Sequence, residues 1–109
     1  FDAKLSGSGD LKLAVDAQKF NMSLSGSGDI VLSGTADDFS SSISGSGDIN
    51  ASDLKSKTVS VSISGSGDTK VSCSESLYAR VSGSGDIVYY GNPTKKDTKV
   101  NGSGEISKG

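Results

Sequence analysis

Histidine and tryptophan are absent from this 109-residue chain, and cysteine, methionine and proline occur once each. Without histidine, the Ser-His-Asp triad, the Cys-His dyad and imidazole-bearing zinc sites are excluded. A single cysteine, Cys73, closes no intramolecular disulfide, and no cation stands beside it in sequence to activate its thiol. No apolar run approaches the length of a membrane span, and no basic-then-apolar leader opens the chain. Neither sign of charge dominates. Eleven Lys and Arg face 13 Asp and Glu for a net charge of −2, so the basic excess that nucleic acid attracts is missing.

Glycine, by contrast, is abundant, with 15 residues against the single proline. Disordered low-complexity chains tend to be rich in both, so these glycines have assigned places. Twelve of the 15 belong to one motif that occurs six times. It reads Ser-Gly-Ser-Gly-Asp from Ser6, Ser25, Ser44, Ser64 and Ser82, and Asn-Gly-Ser-Gly-Glu from Asn101. The intervals are 19, 19, 20, 18 and 19 residues, the mark of a solenoid in which each unit buries its apolar face on the next.

Aligning the copies exposes a second regularity. The residue before the motif is always aliphatic: Leu5, Leu24, Ile43, Ile63, Val81 and Val100. After the acid come Leu11, Ile30, Ile49, Thr69, Ile87 and Ile106. In the second copy Phe20, Met22, Leu24, Gly26, Gly28, Ile30 and Leu32 share one parity, the period of two that marks a strand. This predicts extended chain with two inward glycines at its middle. The segments 14–19, 33–38, 52–58, 72–76 and 90–95 read as turns, and their unequal lengths account for every change of interval. Hairpins with Ser-Gly-Ser-Gly as a loop would need neither a fixed acid nor matching parity on both sides.

In-register stacking of such units predicts an all-β fold. It is a single-stranded parallel β-helix of about six coils with a 19-residue repeat, right-handed by the crossover rule. The Gly-Ser-Gly-Asp-Ile repeats, with Tyr89-Tyr90-Gly91-Asn92-Pro93 following Asp86-Ile87-Val88, resemble the head GIN domain of autotransporter adhesins. The resemblance implies a secreted or cell-envelope bacterial protein with a right-handed β-helix. It also implies that residues 1–109, one domain, form the C-terminal part of a longer secreted protein. It brings no ligand and no catalytic residue.

Two polar columns are the candidate sites. Asp10, Asp29, Asp48, Asp68, Asp86 and Glu105 would stand one above another, repelling by roughly 1 kcal/mol per adjacent pair in water. A calcium row would relieve that repulsion, because hard cations take oxygen ligands. Backbone N–H groups donated to each carboxylate would relieve it as well. Ser8, Ser27, Ser46, Ser66 and Ser84, beside Ser6, Ser25, Ser44, Ser64 and Ser82, form a flat hydroxyl array that suits a ligand face for a cell-surface glycan or protein. Lys4, Arg80 and Lys99 share an outward column with Ser23, Ser42 and Ser62, a solvated surface. No cluster of acid, base and cationic stabiliser suggests an enzyme.

The ends differ. Lys96 and Lys108 replace apolar ladder residues near the C-terminus and form a polar cap, whereas Phe1 opens the chain at a core position. Phe1 is therefore expected to pack against upstream sequence or a second copy, which makes the N-terminal coil a surface for self-association. The functional expectation is a non-enzymatic envelope module, structural or adhesive, that binds through a repeated Ser/Asp face. The alternatives are a calcium-stabilised assembly scaffold and a polysaccharide-cleaving enzyme.

Overall fold

The computed structural model describes residues 2–108. Its regular elements are all strands: β1 (Asp2–Gly45), β2 (Asp48–Gly65), β3 (Asp68–Gly83), β4 (Asp86–Tyr90), β5 (Lys95–Asn101) and β6 (Glu105–Lys108). All pairings between them are parallel, along the path β1-β2-β3-β4-β6, with β5 paired to β3. Laid out straight, the 44 residues of β1 would reach ~145 Å. The molecule measures only 29 × 27 × 19 Å, so the strand bends repeatedly and stacks on itself.

Ile30, Ile49, Thr69, Ile87 and Ile106 are successive partners. They mark about four turns of a parallel β-solenoid at the spacing of the motif, near 19 residues. β1 continues below this ladder, with Gly26 standing over Gly7 and Gly28 over Gly9. Inside, like residues form columns. Phe39, Val59 and Leu77 are consecutive partners, as are Ile43, Ile63 and Val81, and all six are buried. The Phe20 and Phe39 rings stack with centroids 5.4 Å apart. The hydroxyls of Ser41, Ser56 and Thr69 are buried with no hydrogen-bond partner among the described residues, each at a cost of about 1–3 kcal/mol. Thr69 keeps the β-branched shape of the isoleucines above and below it, which is what its column packs.

The two glycines of the motif do different work, and only the second faces inward. Gly47, Gly67 and Gly85 are buried, while Gly45 and Gly83 are exposed. Gly45 has φ +120°, a conformation that side chains disfavour, and it forms the corner. Strict alternation therefore breaks at the corner and resumes after it.

The segments expected as turns also differ. Residues 14–19, 33–38, 52–58 and 72–76 are strand, and Val15, Ala36, Leu54 and Cys73 within them are buried. They form another side of the coil, lined by small or single apolar residues. Only the stretch around Gly91, Asn92 and Pro93 is irregular. The length differences do fall here: the register shifts between Val31 and Ser33, Ala51 and Lys55, and Ser56 and Thr58. The extra residues are taken up as bulges.

At the C-terminal end the Lys96 ammonium donates to the Tyr89 hydroxyl at 3.2 Å and lies 5.4 Å from its ring centroid. Lys108 donates to Asn92 Oδ1 at 2.8 Å. In the first coil Leu5, Leu11 and Leu13 are half-buried against the core. The expectation for the packing of Phe1 lies outside the described residues.

Candidate functional site

The motif corner is built from backbone geometry. After the left-handed glycine, the next serine donates its N–H to the carbonyl of the corner glycine one coil below. Ser46 donates to Gly26 at 3.1 Å, Ser66 to Gly45 at 3.0 Å and Ser84 to Gly65 at 3.0 Å. The corner is thereby held to its neighbour below, and Ser8, Ser27, Ser46, Ser66 and Ser84 are all exposed. The second glycine exists because successive coils stack closely there. A Cβ on Gly67 would collide with the Gly47 carbonyl oxygen and press on Ile43 Cγ2 at 3.1 Å.

The acids follow at once. Asp29 pairs with Asp48, Asp68 with Asp86 and Asp86 with Glu105, and the stacking of Gly28 on Gly9 carries the column down to Asp10. All six are exposed. Two of the carboxylates have a definite task. Asp48 Oδ1 accepts the backbone N–H of Asp68 at 3.2 Å, and Asp86 Oδ1 accepts that of Glu105 at 3.1 Å. A carboxylate of one coil thus binds the start of the strand above, a charge-assisted link across the corner. Asp29, Asp48 and Asp68 border an open groove of about 360 Å³, with Lys70 also lining it. Among the described residues, no three acidic or thiol side chains converge on a common cation position.

A larger groove, about 520 Å³, runs along the bulged side past Asp37, Lys55, Lys57 and Asn92 and over Cys73. The Cys73 thiol is buried and lies 2.7 Å from the Ser76 carbonyl oxygen and 3.4 Å from that of Lys57. Burial pushes its pKa up, which keeps it a protonated thiol and a poor nucleophile.

The remaining face precedes the motif. Ser40, Ser60, Tyr78 and Asp97 form one outward column, and Ser42, Ser62, Arg80 and Lys99 the next. A third column comprises Ser44, Ser64, Ser82 and Asn101. The sequence places Arg80 and Lys99 together in one column. Tyr78, two residues before Arg80, shares that face, and the groove beside them emerges only once the strands are set side by side. No helix among the described residues is long and apolar enough to cross a membrane.

A family model described as "Putative auto-transporter adhesin, head GIN domain" matches residues 1–93. A putative adhesin from Bacteroides fragilis NCTC 9343 is 31% identical, with a TM-score of 0.81 over 98% of this chain and 56% of that one. A putative lipid binding protein from Parabacteroides distasonis ATCC 8503 is 29% identical, with a TM-score of 0.84 over 99% of this chain and 55% of that one. The chain spans a little over half the length of each. No curated protein matches it.

Proposed function

The chain belongs to the auto-transporter adhesin head GIN domain family, and on that premise we propose that it is a non-enzymatic structural or adhesive module of the bacterial envelope or surface. The observation that carries this reading is the repetition of exposed hydroxyls and carboxylates at one spacing along the solenoid. Such a surface suits multivalent attachment to a cell-surface glycan or protein, in which weak contacts at successive coils add up. Six coils and right-handed winding belong to the same reading, supported by the six motif copies and by the crossover preference of parallel strands. The half-buried leucines of the first coil favour self-association there. A lipid surface, suggested by the description of the second relative, is less well matched. Tyr78 is the one large apolar side chain exposed among the described residues.

A glycan array tests the adhesive reading. Saturable binding is expected, without release of reducing ends or unsaturated products from the bound polymer. Turnover would make the protein an enzyme, and an array blank on both acidic and neutral glycans would remove the glycan as partner.

The calcium-stabilised scaffold is the second reading, favoured by the groove along Asp29, Asp48 and Asp68. In that reading millimolar calcium raises the unfolding midpoint by several degrees over excess chelator, and Asp48→Asn with Asp68→Asn abolishes the rise. If chelator and calcium give the same midpoint, the carboxylates serve as N–H acceptors only.

A further inference from the structure

The face before the motif is not uniform. In two middle coils all three columns are serine: Ser40, Ser42 and Ser44 below Ser60, Ser62 and Ser64. One coil higher, Tyr78 and Arg80 replace two of those serines, and Lys99 stands directly above Arg80. Adjacent strands lie ~4.8 Å apart, so the ladder sets two cationic side chains side by side on neighbouring coils. Asp97 meets Arg80 at 3.8 Å, but both side chains are more than half exposed, so the contact is weak and exchangeable. Arg80 and Lys99 also line an open groove of about 280 Å³ with Ser62, Ser82 and Asn101. Tyr78, two residues before Arg80 on the same strand, is 40% exposed. In a chain of net charge −2, this places a cation pair, hydroxyl and amide hydrogen-bonding groups and an open aromatic ring on one flat surface.

We propose that Tyr78, Arg80 and Lys99 form a binding site for an acidic saccharide chain. The Tyr78 ring is the platform for a sugar face. The Arg80 guanidinium forks a carboxylate or sulfate that Lys99 also neutralises, and the serine and Asn101 side chains take the hydroxyls. The proposal rests on the adhesive reading and names its ligand class. It also moves the contact surface from the corner serines Ser8, Ser27, Ser46, Ser66 and Ser84 to the neighbouring face.

The test is biolayer interferometry of the 109-residue chain against immobilised polygalacturonate, heparin and neutral dextran. Arg80→Ser and Tyr78→Ser are the informative variants, because each installs the residue already present one coil below, at Ser62 and Ser60. Arg80→Gln serves if the serine variant unfolds. Lys55→Ser, on the bulged side, controls for net charge. Binding to polygalacturonate or heparin but not to dextran is expected, and the stronger of the two identifies carboxylate or sulfate as the group held. Arg80→Ser and Tyr78→Ser should each weaken binding roughly fivefold, with Lys55→Ser unchanged. Equal losses for Arg80→Ser and Lys55→Ser, with Tyr78→Ser unchanged, would reduce the effect to net charge and overturn the site. Saturable binding of dextran that ignores Tyr78 and Arg80 would overturn it too, while leaving the adhesive module intact. Silence on all three polymers also overturns it, and the array then decides the adhesive reading separately.

Discussion

Gly67→Ala is expected to lower the thermal midpoint by about 10–15 °C, while Gly9→Ala, at the same motif position in the first coil, shifts it by no more than a few degrees. The added methyl is the same in both. At Gly67 it would collide with the Gly47 carbonyl oxygen and press on Ile43, whereas at Gly9 nothing among the described residues lies within 4 Å. Backbone cannot swing aside as a flexible side chain does, so the coil at Gly67 must spread or tilt. Overpacking of this kind costs about 1–3 kcal/mol. Gly65→Ala should be worse, because φ is +127° there and the methyl meets the Gly45 carbonyl as well. Backbone strain adds about 1–3 kcal/mol to the steric cost, a large share of the roughly 5–15 kcal/mol that holds a domain of this size. Circular dichroism melts of the three variants check the order Gly65, Gly67, Gly9. Equal midpoints for Gly67→Ala and Gly9→Ala would mean that close stacking on the coil below is not why the second glycine is there.

Phe39→Ala is the other large effect, a loss of about 3–5 kcal/mol. Its ring is buried and stacks on Phe20 with a 23° interplanar angle. Alanine leaves a hole that the neighbouring coils cannot collapse into, because their ladder hydrogen bonds hold the strand spacing. Phe39→Leu should cost only about 1 kcal/mol, since the column already accepts Val59 and Leu77 above. Urea unfolding distinguishes two ways of failing. A lower midpoint with the slope preserved means the solenoid still unfolds as one unit. A shallower slope means the coils on either side of the hole melt separately, as stacked repeats do when one interface fails.

Much of this fold is legible in the sequence because burial and parity coincide. Phe20, Met22, Leu24, Ile30 and Leu32 share one parity and are all buried in the structure. Alternation fails as a guide where the backbone leaves the extended region. Gly45 shares the parity of Ile43 yet is exposed, because its own positive φ turns the chain between Ile43 and Gly47. The bulged side escapes sequence reasoning for a different reason. Its segments vary in length, carry small polar residues such as Ser33, Thr35 and Ser72, and offer only Val15, Ala36, Leu54 or Cys73 to the core. That composition is also what turns are made of. The acidic column follows from motif spacing alone. The bonds from the N–H groups of Asp68 and Glu105 to the carboxylates below do not, because they depend on how tightly the corner folds.

The register shifts at Val31–Ser33, Ala51–Lys55 and Ser56–Thr58 all lie on or beside one side of the coil, while the paired columns before the motif advance without a slip. The molecule therefore has a seam. A grafted loop or an inserted peptide placed along 52–58 would be extruded outward, where the chain already accommodates surplus length, and the opposite face would keep its spacing. The same asymmetry lets such a chain acquire new surface features over time at one edge without resetting the pitch of the rest.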